Sequence, residues 1–135
     1  MRCRYDGTAS PSGPALEAAR AGRAIPVCPE IMGGLPTPRP RAEISGGDGA
    51  AVLAGKAHVL TEDGRDVTAA FLRGAEEALR LSQLCGIQEA WLKARSPSCG
   101  VSCVYDGTFA GRVRSGRGVT AALLSTAGIR LREIP

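Results

Sequence analysis

The sequence has little of what nucleic-acid-binding and membrane proteins need. Aromatic residues make up 4% of the 135 residues, and the net charge of +4 comes almost entirely from arginines spread along the chain. Nucleic-acid-binding faces instead cluster basic and aromatic residues. There is no run of about 18 apolar residues, as a membrane-spanning helix requires, and the first residues lack the apolar segment of a signal peptide. We therefore expect no nucleic-acid partner, no membrane and a reducing cytoplasm.

Common metal, redox and nucleotide motifs are missing as well. His58 is the single histidine, and no Cys-x-x-Cys pair is found among the five cysteines. Only Cys99 and Cys103 stand close together, which argues against a zinc finger, a thioredoxin-like site and a disulfide framework. No P-loop and no Gly-x-Gly-x-x-Gly stands between a strand and a helix. A Cys-His nucleophile would depend on His58, which has no motif around it.

Two cysteines lie in turns rich in proline and glycine. Cys28 follows Ile25-Pro26-Val27, and Cys99 lies within Ser96-Pro97-Ser98-Cys99-Gly100. Proline fixes φ and glycine permits sharp turns, so the backbone directs each thiol. Since functional side chains favour rigidly placed loops, both cysteines are predicted to be functional.

The pattern predicts one domain over residues 1–135, with a turn-rich linker at 9–14 and no long regular element in 33–50. Cys85 and Trp91 are assigned to the core. The predicted elements are a helix over Ala15 to Ala21, a buried strand over Ile25 to Cys28, a strand over His58 to Leu60, a helix from Asp66 or Thr68 to Gly86, a buried strand over Ile87 to Leu92, a helix over Val119 to Ala127 and a strand over Ile129 to Leu131.

This alternation of helices and strands predicts a compact three-layer α/β fold with a mostly parallel, Rossmann-like sheet. Ligands of such sheets bind at the carboxyl ends of strands. Cys28 and Cys99 both follow predicted strands, so they are expected to reach the same crevice.

A short internal similarity links residues 3–8 and 103–108. Cys3-Arg4-Tyr5-Asp6-Gly7-Thr8 and Cys103-Val104-Tyr105-Asp106-Gly107-Thr108 agree at five of six positions. Asp-Gly is a strong turn signal. Two interpretations stay open: similar local turns, or two turns that border one cavity.

Well-separated cysteines carried by loops suit an iron–sulfur cluster, because thiolates are its usual ligands. Three protein cysteines on a four-iron cluster leave one iron open, and an open iron is a Lewis acid for a soft sulfur ligand. Two alternatives remain: a cysteine-dependent sulfurtransferase or hydrolase without a cluster, and a small metal-binding protein with an interaction role.

A set of motifs along the whole chain resembles the family called domain of unknown function 523, whose characterised branch is thiouracil desulfidase. The resemblance implies a compact α/β fold, a [4Fe-4S] cluster on three cysteines and the hydrolytic, non-redox desulfuration of a small thiolated nucleobase. The motifs are Arg4-Tyr5-Asp6-Gly7, Pro26-Val27-Cys28-Pro29-Glu30, Gly33-Gly34-Leu35-Pro36-Thr37-Pro38-Arg39, Glu62-Asp63-Gly64, Asp66-Val67-Thr68, Phe71-Leu72-Arg73-Gly74-Ala75, Lys93-Ala94-Arg95-Ser96-Pro97-Ser98-Cys99-Gly100 and Tyr105-Asp106-Gly107-Thr108-Phe109.

The resemblance also implies roles for single residues. Cys28 and Cys99 match two cluster ligands, and Ser96 matches a serine expected to bind or protonate substrate. Glu30, two residues from a ligand, is the candidate acid or base, since a general acid needs that reach. The residues predicted to contact substrate are Arg39, Lys93, Asp6 and Asp106.

The start of the sequence departs from the family pattern. The family usually opens with a hydrophobic strand ending in Cys-Leu-Leu-Gly, whose cysteine is the third ligand, whereas this sequence begins two residues before Cys3. Either the chain is shortened, or Cys3 has become the third ligand. The first explanation is favoured, because loss of a strand exposes sheet edges. We then expect marginal stability or contact with a second copy in an oligomer.

Overall fold

The computed structural model describes residues 3–7 and 12–135, which form five helices and six strands. The predicted linker falls partly at residues 9–11, outside the described residues. The elements are α1 (Gly13–Arg20), α2 (Pro29–Met32), β1 (Ala42–Ser45), α3 (Gly49–Leu53), β2 (His58–Thr61), α4 (Thr68–Leu84), β3 (Glu89–Lys93), β4 (Cys103–Tyr105), β5 (Val113–Ser115), α5 (Val119–Thr126) and β6 (Arg130–Ile134).

The described strands pair in twos, and the predicted α/β class is confirmed. β3 and β6 are parallel, with Glu89 opposite Arg130. β1 and β2 are antiparallel, as are β4 and β5. The short connection 106–112 permits only the antiparallel arrangement of β4 and β5, because a parallel pair needs a crossover of about a dozen residues or more. Helix α5 lies in the crossover between β3 and β6 and packs on β6.

The core forms around Phe71, which is 1% exposed. Helix α4 buries Ala70, Phe71, Gly74, Ala75 and Ala78, a spacing that places them on one helical face. Buried aliphatic side chains from the strands, from α3 and α5 and from the residue before β2 complete this cluster, namely Ile44, Val52, Ala57, Val59, Val104 and Val119.

The predicted helices near residues 15–21, 66–86 and 119–127 are present, as are the strands at His58 and at the C-terminal end. Helix α4 ends where Gly86 takes a φ of +66°, the left-handed conformation that glycine adopts without a Cβ clash. Residues 33–50 contain the four-residue strand β1 and the first two residues of α3, so the prediction that this stretch has no long regular element is confirmed.

The prediction of a buried strand over Ile25 to Cys28 is wrong. These residues belong to no strand, and Ile25 and Val27 are 51% and 42% exposed. Pro26 cannot donate a backbone hydrogen bond, and no described strand pairs with this segment. The apolar residues Ile25, Pro26 and Val27 therefore form no strand, because no neighbouring strand pairs with them.

Cys85 and Trp91 also differ from their predicted core positions. Cys85 is exposed because it lies at the C-terminal end of α4. Trp91 is only half-buried; its Nε1 donates to Glu89 Oε1, and Arg132 lies over its ring at 4.7 Å. β3 begins two residues later than predicted, and Leu92 is its buried residue. No helix in the described part of the chain is long and apolar enough to cross a membrane.

Candidate functional site

The Cys99 loop follows the end of β3 and is shaped by one serine. Arg95 takes a φ of +64°, which turns the chain after the strand. Ser96 Oγ then accepts hydrogen bonds from the backbone N–H groups of Ser98 and Cys99, both at 3.1 Å. A serine that binds backbone groups two and three residues ahead favours a tight turn. Cys99 is therefore held at the tip of a closed loop.

The first turn of α5 fixes this loop from the other side. Val119 N–H donates to the Pro97 carbonyl at 2.9 Å, and Gly118 N–H donates to the Gly100 carbonyl at 2.8 Å. A Cβ on Gly118 would lie 2.4 Å from the Ser98 carbonyl oxygen. The two backbones therefore touch, and only glycine permits this approach.

A buried pair of hydroxyls adds to the contact between the Cys99 loop and α5. Ser98 Oγ and Thr120 Oγ1 lie 2.8 Å apart, and both residues are 1% exposed. Sequence reasoning missed Thr120 and Gly118, because their partners lie about 20 residues away and no local pattern indicates them.

Cys28 stands immediately before α2, which is packed against α4 through two glycines. A Cβ on Gly33 would lie 2.0 Å from the Ala70 carbonyl oxygen, and a Cβ on Gly74 would lie 1.9 Å from the Pro29 carbonyl oxygen. Gly74 interrupts a strong helical pattern, which is a recognisable sign of a close approach. The position of Cys28 is thus set by backbone contact between two helices.

Arg39 connects the Cys28 segment with the start of the chain. Its Nε and Nη2 donate to Glu30 Oε2 at 3.0 and 2.6 Å, and Nη2 also donates to the Cys3 carbonyl at 2.9 Å. Its Nη1 donates to the Pro36 carbonyl and to Thr37 Oγ1. The side chains of Arg39 and Glu30 are 6% and 19% exposed. Five bonds match the five N–H donors of a guanidinium.

The thiols and Glu30 influence one another electrostatically. Burial raises the pKa of Cys99 to about 12, and the charges of Glu30 and Cys28 act in the same direction, while hydrogen bonds from Ser98 and Ser96 oppose them. Burial also raises the pKa of Cys28, with further contributions from Cys3 and Glu30. Cys28 Sγ lies 4.0 Å from the Cys3 carbonyl oxygen. Cys28 therefore lies beside the backbone of Cys3, and the charges of Cys28, Cys99 and Glu30 influence one another.

The two aspartates predicted to bind substrate lie in differently anchored turns. Asp6 is exposed, and its turn is tied to Arg39, whose N–H donates to the Tyr5 carbonyl. Asp106 Oδ1 accepts from the N–H and the hydroxyl of Thr108, and these bonds lower the pKa of Asp106. Its turn is anchored on β1, where Glu43 accepts from Gly107.

Neither turn lines the cavity of about 80 Å³ beside Glu30 and Arg39. Lys93 is exposed at the end of β3, just before the Cys99 loop. His58 is exposed, and its Nδ1 lies 3.3 Å from Asp66 Oδ2.

Donor chemistry links these residues to a metal cluster. Among residues 3–7 and 12–135, no three His, Cys, Asp or Glu side chains are close enough together to hold one metal ion. Burial raises the pKa of Cys28 and of Cys99, so a compensating positive charge is needed to ionise either thiol. Metal binding deprotonates thiol ligands, and thiolates are the usual ligands of iron–sulfur clusters. Cys28 and Cys99 therefore have the ligand chemistry of the cluster that the motifs imply.

Comparisons with known proteins agree on one family. The family model described as 2-thiouracil desulfurase matches residues 1–133. The uncharacterized protein YbbK of Bacillus subtilis (strain 168) is 42% identical over 131 residues, which cover 97% of this chain and 87% of that protein. A solved structure, the [4Fe-4S]-dependent thiouracil desulfidase TudS, matches with a TM-score of 0.82 and 46% identity, over 96% of this chain and 81% of that chain.

Proposed function

Since this chain belongs to the 2-thiouracil desulfurase family, we propose that it catalyses the hydrolytic, non-redox removal of sulfur from a thiolated pyrimidine or a related thiocarbonyl compound. Water replaces the sulfur, so the products are the carbonyl compound and hydrogen sulfide. The family resemblance deduced from the motifs is confirmed. The observation that supports the proposal is that Cys28 lies beside the Cys3 backbone, at 4.0 Å from its carbonyl oxygen, and shares an electrostatic interaction with Cys99 and the Glu30 carboxylate.

Cys28, Cys99 and Cys3 are the proposed ligands of a [4Fe-4S] cluster, the cofactor named for TudS. Cys3 is included because its carbonyl lies beside the Cys28 thiol and its charge raises the pKa of Cys28. When bound, such a cluster supplies an open iron, a Lewis acid suited to a soft sulfur ligand.

Glu30 and Ser96 are the proposed proton-handling groups. The Glu30 carboxylate is fixed by Arg39 through Oε2, facing the charges of Cys28 and Cys99. In this position it can accept a proton from the attacking water. Ser96 Oγ accepts two backbone bonds, and its O–H, which also hydrogen-bonds Cys99, is the proposed proton donor to substrate. Contacts of Lys93, Asp6 and Asp106 with substrate remain predictions from the sequence.

The raised pKa values count against a cluster-free enzyme. A thiolate nucleophile is normally activated by a lowered pKa or an adjacent base, whereas burial raises the pKa of both Cys28 and Cys99. All five cysteines are free thiols, which agrees with the proposed reducing cytoplasm.

The test is anaerobic purification followed by an absorbance spectrum and by iron and sulfide counts. The protein is then mixed with 2-thiouracil, and loss of the thiocarbonyl absorbance and release of sulfide are followed. Turnover that requires the bound iron supports the proposal. Turnover by iron-free protein would support the sulfurtransferase alternative, and iron binding without turnover on any thiolated pyrimidine would support an interaction role.

A further inference from the structure

The segment 3–7 carries Cys3, and Arg39 reaches it twice. The backbone N–H of Arg39 donates to the Tyr5 carbonyl at 2.5 Å, and its guanidinium donates to the Cys3 carbonyl at 2.9 Å. These bonds place Cys3 beside Cys28, which is 25 residues further along the chain. The position of the third thiol therefore depends on a residue outside its own segment.

The same guanidinium group fixes Glu30. Two of its nitrogens share Glu30 Oε2, while a third binds the Pro36 carbonyl and Thr37 Oγ1. Bonds in several directions from one plane need the fixed fork of arginine, since the ammonium group of lysine acts as a point charge. The side chain is 6% exposed and its five donors are occupied, so no N–H group is left for a substrate oxygen.

We propose that Arg39 is a positioning residue, which holds the Cys3 thiol and the Glu30 carboxylate at the Cys28–Cys99 pair. This proposal rests on the proposed function only for the roles of Cys3 and Glu30. The sequence suggested that Arg39 contacts substrate. The proposal instead assigns Arg39 an indirect role, in which it positions Cys3 and Glu30.

The test measures thiol accessibility in iron-free protein under reducing conditions. The rate at which N-ethylmaleimide labels each cysteine is followed by peptide mass spectrometry. In Arg39→Gln and Arg39→Lys, labelling of Cys3 should accelerate at least about tenfold, as expected when a charged hydrogen bond is lost. Labelling of Cys85 and Cys103 should not change, because neither residue touches Arg39. Reconstituted Arg39→Lys should also retain less iron than the parent.

Arg41→Gln is the matched control. Arg41 stands two residues further along and pairs with Glu62 at 2.9 Å, but both side chains are exposed. This variant should label like the parent. Equal Cys3 rates in the parent and in both Arg39 variants would overturn the proposal, as would a rise confined to Arg39→Gln that affects every thiol. A substrate contact predicts instead an increased KM with unchanged Cys3 labelling.

Because the labelling uses iron-free protein, its outcome does not depend on cluster formation. If the parent protein binds no iron, but Cys3 alone is labelled faster in the Arg39 variants, the proposed function is refuted and the positioning role is supported. If the parent protein binds iron and turns over substrate, but Cys3 is labelled at the parental rate in the Arg39 variants, the proposed function is supported and the positioning role is refuted.

Discussion

At the scale of single residues, each cysteine proposed for the site is held by a different kind of contact. Ser96 closes the loop that carries Cys99, helix packing sets Cys28, and Arg39 binds the backbone at Cys3. Such contacts fix the thiols without a ligand, which is how precise binding geometry is usually achieved. The Pro/Gly turns predict that Cys28 and Cys99 are functional, but they do not predict these partners, because the contacts join distant parts of the chain.

Replacing Cys28 or Cys99 with serine should reduce the iron content to background, because a hydroxyl is a much poorer iron ligand than a thiolate. Cys85→Ser is the control, since Cys85 is exposed at the end of α4 and should leave the iron content unchanged. Iron and sulfide analysis after anaerobic reconstitution measures the effect. Full iron content in Cys99→Ser would show that Cys99 is not a ligand.

Removal of the Ser96 hydroxyl should slow turnover and also destabilise the fold. Ser96→Ala leaves two N–H groups without their acceptor, at a cost of about 1–3 kcal/mol. It also removes the proposed proton donor, for which a loss of about 100-fold or more in kcat is expected. Ser96→Thr keeps the hydroxyl and should recover most of the activity. If Ser96→Ala retains iron and parental kcat, Ser96 has no catalytic role.

At the scale of elements, long helices were easier to predict than short elements. Helix α4 has a long buried face and a terminal glycine, so its sequence pattern is strong. Helix α2 has four residues and β1 has four, too few for any periodicity. At Ile25 to Cys28 a strand was predicted where none exists. Strand propensity mostly reflects packing against neighbouring strands, and this segment has no such neighbour among the described strands.

The contact between α2 and α4 should tolerate no Cβ. In Gly74→Ala the new Cβ would lie 1.9 Å from the Pro29 carbonyl oxygen, so α2 must move. Overpacking of this kind costs about 1–3 kcal/mol, and Cys28 would move with α2. We expect a lower Tm together with a reduced iron content, measured by thermal unfolding and iron analysis.

Gly13→Ala is the matched control for that substitution. A Cβ on Gly13, in α1, meets no atom within 4 Å, so alanine should leave the Tm equal or slightly higher, given its better helix propensity. If both variants retain the parental Tm and iron content, the close approach of α2 and α4 does not position Cys28.

At the scale of the whole molecule, the site exists only after the chain has folded. Its thiols come from residue 3, from the turn before α2 and from the loop after β3, and α5 completes the last of these. Residue chemistry alone predicted two functional cysteines and an α/β fold. Loop-borne thiols also suited an iron–sulfur cluster, but cluster-free alternatives stayed open. The choice of cluster and reaction followed from the family motifs, because the distances between the thiols depend on tertiary contacts that no local pattern contains.

Cluster binding should therefore stabilise the whole fold. A ligand that binds only the folded state stabilises it by mass action, and structural metal sites couple binding to folding. We expect the anaerobic, iron-loaded protein to unfold at least about 10 °C above the iron-free protein, which corresponds to a few kcal/mol for a domain of this size. Cys85→Ser should keep this difference and Cys28→Ser should abolish it. If the iron-loaded protein has the Tm of the iron-free form, the iron is not held by residues from separate segments of the chain. The three cysteines would then not be its ligands.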